Sequence, residues 1–216
     1  MEKRKPRKDF VLCAVIAAAC AIGYGQEPTP EQVIRHEKLE VIVPDFPARG
    51  LILDIGGGGE GVIGQLKGPK VIAIDLLKRE LEDAPAGPLL KIVMDGRDLK
   101  FLDGAFPTAT VFFTFMYIAP PDHGQVLKEI HRVLAAGGRL LIWDVEFPRK
   151  TDPRQSVIQY PLHITLPNMA INTGYGVHLA EGQGMTHFIG LAEQAGFETV
   201  VQESRKGWFF LEFKKP

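Results

Sequence analysis

A short apolar run, Leu51-Ile52-Leu53-Asp54-Ile55, passes directly into Gly56-Gly57-Gly58-Gly59-Glu60-Gly61. A run of this length, rich in branched side chains, reads as a buried strand. Successive glycines then permit positive φ and let another group approach the main chain without meeting a Cβ. The stretch Gly61 to Leu66 reads as the start of a helix, whose free N–H groups favour an anionic group. Strand, glycine turn and helix together open a parallel α/β sheet.

Four further apolar runs, Val71 to Ile74, Leu90 to Met94, Thr110 to Phe115 and Arg139 to Asp144, predict four more buried strands. Val126, Ile130, Val133 and Leu134 recur at helical spacing, and Gly137-Gly138 are expected to end that helix. From Phe147 to about Gly184 the character changes, with four prolines and no sustained helical period. This segment is expected to be an insertion over the open end of the sheet, with a β-hairpin around Ile164 to Tyr175. A helix near Thr186 to Ala195 follows, then strands Thr199 to Glu203 and Trp208 to Phe213 joined by a turn at Lys206-Gly207. The expected fold is α/β, a mostly parallel seven-stranded sheet closed by a C-terminal antiparallel hairpin.

The N-terminus is different in kind. Lys3, Arg4, Lys5, Arg7 and Lys8 precede an apolar run from Phe10 to Gly23, short for a membrane span and suited to the core of a signal peptide. Gly23 and Gly25 are spaced like a signal-peptidase site, while Ile16 to Cys20 resemble a lipoprotein box. An uncleaved hydrophobic tail or a misassigned start is the alternative. The expected organisation is therefore 1–25 as signal peptide or anchor, 26–44 as linker and N-terminal helix capped by Thr29 before Pro30, and 45–216 as the domain, with 148–185 a substrate lid. The segment implies an exported or membrane-anchored protein, or a cytoplasmic one if it is not a working signal. A net charge of -1 gives no electrostatic reason to expect nucleic acid as partner. Cys13 and Cys20 are the two cysteines, so the domain has no thiol for covalent catalysis, and no metal-ligand spacing stands out.

Gly56, Gly58 and Gly61, with Asp75 about twenty residues on, satisfy the dinucleotide fingerprint literally. Asp54 points elsewhere, because a pyrophosphate gains nothing from a carboxylate two positions before the first glycine. The methionine part of S-adenosylmethionine, with its ammonium and sulfonium, does gain. Asp75 ends the second strand, where its oxygens would accept ribose hydroxyls. Asp95 follows the third, where it would accept from an adenine amino group, with the Gly96 backbone at the ring edge. Three acids at successive strand ends share the sheet edge at which such folds bind ligands.

Through Leu51 to Gly58, Val71-Ile72-Ala73-Ile74-Asp75, Met94-Asp95-Gly96, Asp98-Leu99-Lys100-Phe101, the turn from Leu134 to Leu141 and the C-terminal hairpin, the chain resembles the class I S-adenosylmethionine-dependent methyltransferases, and among them the type 11-like domain. The resemblance covers roughly residues 45–147 and 184–214. It implies a Rossmann-like methyltransferase sheet and S-adenosylmethionine as cofactor, with Asp54, Gly56 and Gly58 at the methionine end, Asp75 at the ribose and Asp95 and Gly96 at the adenine. Two departures are Gly59-Glu60-Gly61, where many members have a single polar residue before the next glycine, and Phe106-Pro107, where the family commonly has Phe-Asp.

The implied activity is methyl transfer to a small-molecule acceptor. The rivals are an NAD(P)-dependent oxidoreductase, favoured by the literal glycine spacing, and an inactive binding module. The latter gains from the conflict between an exported N-terminus and a cytoplasmic cofactor. Catalytic residues are not fixed by the sequence: His123, His163 and His178 are the candidates for a general base, with His187 beside them. Tyr117 and Tyr175 are candidates for lining the acceptor pocket, and His131 reads as a packing residue.

Overall fold

The computed structural model describes residues 28–180 and 182–216. The apolar run 10–23 and its basic flank, with the export or anchoring role expected of them, lie outside the described residues. Among the described residues no helix is long and apolar enough to cross a membrane.

In chain order the elements are β1 (Val33–Arg35), β2 (Leu39–Ile42), β3 (Ile52–Ile55), α1 (Val62–Lys67), β4 (Val71–Asp75), α2 (Lys78–Asp83), β5 (Leu90–Val93) and β6 (Phe106–Phe112). Then come α3 (His123–Val133), β7 (Leu134–Val145), β8 (Val157–Leu166), β9 (Met169–His178), α4 (Met185–Gln194), β10 (Glu198–Arg205) and β11 (Trp208–Lys214). They form two compact units, one from residues 28–43 and Pro148–Leu179, the other from Pro44–Phe147 and Ala180–Pro216.

The small unit is a four-stranded sheet built on β8. One edge of β8 pairs antiparallel with β9, from Val157 opposite His178 to Leu166 opposite Met169. Its other edge takes β1 and β2 end to end, both parallel. Ile158, Tyr160, Leu162, Ile164 and Leu166 alternate into the buried face, which fixes the register because a one-residue slip would expose them all. The expected hairpin is thus present and longer than the pattern suggested. The expected N-terminal helix is not: Pro30–Gln32 make one 3-10 turn, closed by the Thr29 N–H donating to Gln32 Oε1 at 2.8 Å, and Val33 onward is strand. β-Branched Val33 and Ile34 gain more from pairing with β8 than from extending a helix.

The large unit is a seven-stranded sheet in the order β10-β11-β7-β6-β3-β4-β5. β5, β4, β3, β6 and β7 run parallel, while β11 is antiparallel to β7 and β10 to β11, so the expected hairpin closes the sheet. β3 is central and buried along its whole length. From it the chain lays β4 and β5 on one side and then returns to lay β6 and β7 on the other, which makes the gap beyond β3 and β6 the point where the strand order reverses. Val126, Leu127, Ile130 and Val133 of α3 pack into the core with Phe188 and Ala192 of α4.

Two boundaries differ from expectation. Gly137-Gly138 do not end α3, which stops at Val133; they lie within β7, where Gly137 N–H donates to Lys215 O and Lys215 N–H to Gly138 O, locking the C-terminus to the sheet. β6 ends at Phe112 instead of Phe115, because Phe113 takes φ 49 and Phe115–Tyr117 turn into a 3-10 helix. Pro107 sits at a register shift between Phe106 and Thr108, where a missing N–H disturbs the ladder least.

Candidate functional site

The glycine turn is held from three sides. Gly56 and Gly57 N–H both donate to Ile74 O, Gly59 N–H to Glu80 O, and Gly61 N–H to Gly58 O. Gly58 N–H donates to the Asp75 carboxylate. The N–H groups of all five glycines are therefore engaged within the fold, so the glycine turn itself offers no row of free donors to a pyrophosphate. Gly56 has φ 70 and faces Thr114 so closely that a Cβ would overlap its side chain. A Cβ at Gly57 would lie 2.5 Å from Asp54 Oδ2, so the turn lies directly over that carboxylate.

Asp54 is 2% exposed, and Oδ1 accepts from Thr110 Oγ1 at 2.6 Å. Burial, and to a lesser degree the neighbouring Asp75, push its carboxyl up to about 7 despite the Thr110 bond. Asp54 stands near the end of β3, as expected, and its side chain lies underneath the glycine turn. Asp75 emerges at the end of β4, where its Oδ1 accepts the Leu77 N–H at 2.9 Å, and burial raises its pKa. Burial first, then Asp75 and Asp83, likewise raise Glu80 of α2, with Arg79 opposing them and Glu60 adding less. Among the described residues none of Asp54, Asp75 and Glu80 forms an ion pair. A local excess of negative charge without a protein cation is complementary to a cationic ligand. Leu76, next to Asp75, is 59% exposed and offers an apolar surface at the same edge.

Asp95 is organised differently. Its two oxygens accept from Arg97 Nε and Nη2, with the Nη2 bond at 2.7 Å, and the Arg97 backbone N–H donates to Oδ1. The guanidinium holds Asp95 below the usual carboxylate range and also reaches Asp122, ahead of α3, at 2.8 Å. Gly96 lies over the end of β3, where a Cβ would come within 3.3 Å of Ile55 Cγ2. The structure thus brings Asp54, Gly56, Gly58, Asp75, Asp95 and Gly96 to one edge of the sheet.

The histidines part company. His123 is fully buried: Nε2 donates to Ile118 O at 2.9 Å and lies 3.1 Å from Phe115 O, so Nδ1 accepts from His187 Nε2 at 3.1 Å. Burial lowers the pKa of both. With both nitrogens engaged, His123 ties the turn after β6 to α3 and α4 and has no free nitrogen to take a proton from an acceptor. His163 and His178 lie in the small unit, on β8 and β9, where His163 Nδ1 meets Asn172 Oδ1 at 2.8 Å. Tyr175 is on β9, opposite Tyr160. Tyr117 closes the turn after β6 and is 39% exposed, near enough to Glu60, Glu80 and Asp144 for their charge to add to burial in raising its phenol.

Sequence reasoning missed Asp144 and Thr114. Asp144, at the end of β7 and fully buried, accepts backbone N–H from Phe115 at 2.9 Å and Val145 at 2.8 Å, and also bonds Thr114 and Met116. It holds the whole turn that follows β6. Burial pushes its carboxyl up to about 7 against these bonds. Thr114 Oγ1 lies 3.2 Å from Ile55 O, joining that turn to the end of β3. A signal was present in the acid ending a strand of buried residues, but the partners it holds after β6 are 28 to 30 residues away in sequence.

Comparison with known proteins agrees with this geometry. The methyltransferase-domain family profile matches residues 53–142, from β3 to β7. Over 125 residues the chain is 33% identical to the demethylmenaquinone methyltransferase of Thermus thermophilus, covering 53% of this chain and 54% of that protein, so it spans about half the length of this relative. Among solved structures, a protein of Pyrococcus horikoshii OT3 superposes with a TM-score of 0.58 at 18% identity, over 78% of this chain and 84% of that one. A SAM-dependent methyltransferase of Methanosarcina mazei does so with 0.55 at 20% identity, over 79% and 94%. The glycine turn and the acids at the sheet edge lie within the matched span, over which the chain is similar to the methyltransferase domain, and its fold is that of the S-adenosylmethionine-dependent methyltransferases.

Proposed function

We propose that the chain is an active S-adenosylmethionine-dependent methyltransferase that acts on a small, neutral acceptor. One observation carries the reading: Asp54, Asp75 and Asp95 stand at the ends of β3, β4 and β5 beside a glycine turn whose own N–H groups are already engaged. That arrangement suits a cation and disfavours a dinucleotide pyrophosphate.

When bound, S-adenosylmethionine supplies a methyl group on a sulfonium, open to in-line attack. Asp75 accepts the ribose hydroxyls, and exposed Leu76 offers a surface for the base. Asp95, oriented by Arg97, accepts from the adenine amino group. Asp54, below the glycine turn, favours the positive charge at the methionine end. Asp75 and Asp95 would hold the adenosine at β4 and β5, which would leave the β6 and β7 side, where the Asp144-held turn carries Thr114 and Tyr117, for the acceptor. Positioning of acceptor and methyl in line supplies much of the rate, so His123 is not required as a base. The cover role expected of residues 148–185 belongs to this proposal and rests on chain order, since the segment is inserted between β7 and α4.

Incubation of the full chain with methyl-labelled S-adenosylmethionine and neutral acceptors tests the reading. Demethylmenaquinone in its reduced form, suggested by the Thermus relative, is the first to try. Labelled product above the no-enzyme rate, lost in Asp75→Ala, is the expected result. Turnover unchanged in that variant, or hydride transfer from NADH instead, would contradict it.

A further inference from the structure

Gln183 precedes α4 and is 3% exposed, and among the described residues neither its Oε1 nor its Nε2 has a hydrogen-bond partner. An amide left unpaired in this way is destabilising, and nearly all buried polar groups in native proteins avoid it. Its place is fixed by the main chain. Gln183 O accepts the Phe147 N–H at 3.3 Å, just beyond β7, and the next residues are held by Glu146, whose Oε1 accepts the Met185 N–H at 2.9 Å. A Cβ at Gly184 would overlap the Glu146 carboxylate, so glycine is needed to let the two approach.

β7 lies on the far side of β3 from β4 and β5, so Gln183 stands at the acceptor half of the ligand edge and away from the adenosine half. We propose that Gln183 is the residue that selects the methyl acceptor, by pairing its amide with a neutral hydroxyl on an aromatic ring; this rests on the methyltransferase reading above. A hydroxyl both donates and accepts, which matches an amide with both functions open. The Glu146 carboxylate beside it repels an anionic acceptor.

The test uses the full chain saturated with S-adenosylhomocysteine, in wild type and in Gln183→Leu, which keeps the volume and removes the amide. The probes are 2-naphthol and its anionic counterpart 2-naphthoate. We expect wild type to bind naphthol at least tenfold more tightly than naphthoate, and Gln183→Leu to lose that preference. We also expect the variant to melt at or above the wild-type temperature with unchanged S-adenosylhomocysteine affinity, because an unpaired amide has been removed. A structural role would instead lower the melting temperature. A variant that melts lower, a preference that survives in it, or a wild type that binds neither probe or prefers naphthoate would overturn the proposal. Failure of wild type to bind S-adenosylhomocysteine would overturn the methyltransferase reading instead, and the melting comparison would still decide whether the amide serves the fold.

Discussion

The two halves of the large sheet use buried carboxylates in opposite ways. On the β3 and β4 side, Asp54 and Asp75 are surrounded by a backbone that approaches closely and by further acids, and among the described residues no ion pair answers their charge. On the β6 and β7 side, Asp144 is wrapped by backbone N–H groups that hold the chain itself, and His123 is likewise engaged at both nitrogens. On the reading proposed above, the first half keeps electrostatic capacity for a ligand, while the second uses its polar groups to hold the turn against which that ligand would be placed. Asp95 lies between these extremes, with its charge already answered by Arg97.

The comparison can be broken most severely at Gly56. Gly56→Ala must accommodate both φ 70 and the Thr114 side chain, and is expected to lose about 3 kcal/mol in urea unfolding together with S-adenosylhomocysteine binding. Gly137→Ala has the same kind of backbone, φ 72, but open space around the new Cβ, so it should cost about 1–2 kcal/mol and leave binding intact. Equal costs at the two positions would show that the contact between the glycine turn and the β6 turn is not tight.

Asp144→Ala comes next. It leaves the N–H groups of Phe115 and Val145 without their acceptor and is expected to cost about 2–3 kcal/mol. Asp75→Ala, on the other half, should leave the unfolding midpoint within about 1 kcal/mol of wild type while weakening S-adenosylhomocysteine at least tenfold. If both variants lose stability alike, the proposed division of labour fails.

A subtler difference lies in pH. Asp54 and Asp144 both have folded-state pKa values raised to about 7, above an ordinary value of 3.8. Their contribution to stability is full below about pH 4, falls as pH rises and is lost once pH passes about 7. Asp54→Asn should remove its share of that fall, seen as a flatter dependence of the urea midpoint between pH 5 and pH 8. The same ionisation favours the sulfonium, so the preference for S-adenosylmethionine over S-adenosylhomocysteine should rise from pH 6 to pH 8 in wild type and stay level in Asp54→Asn. The smallest effect is expected for Arg97→Ala, about 1 kcal/mol or less in stability because the pair with Asp95 is partly exposed, with a several-fold loss of S-adenosylhomocysteine affinity.

The halves also differ in how far the sequence discloses them. Asp54, Gly56, Gly58, Asp75, Asp95 and Gly96 sit in contiguous strand-to-turn motifs, and parallel pairing carries each motif to the same edge, so their grouping could be read before the fold was known. The bonds from Thr110 to Asp54 and from Asp144 to Phe115, and the His123–His187 pair, join residues 56, 29 and 64 positions apart. No local pattern marks such partners. His123 looked like a possible base because it follows a strand, and only its burial shows that it holds the fold together. The N-terminal strands were read as linker and helix for a related reason: β1 and β2 are three and four residues long, and they become strands by pairing with a hairpin more than a hundred residues later.

The most direct test of the central claim is calorimetric titration of the full chain with S-adenosylmethionine, S-adenosylhomocysteine and NADH, in wild type and in Asp75→Ala. The account predicts micromolar binding of the first two to wild type, at least a tenfold loss in the variant, and no heat from NADH. Binding of NADH in place of the methionine-bearing ligands, or equal affinity of the two proteins for S-adenosylmethionine, would contradict it.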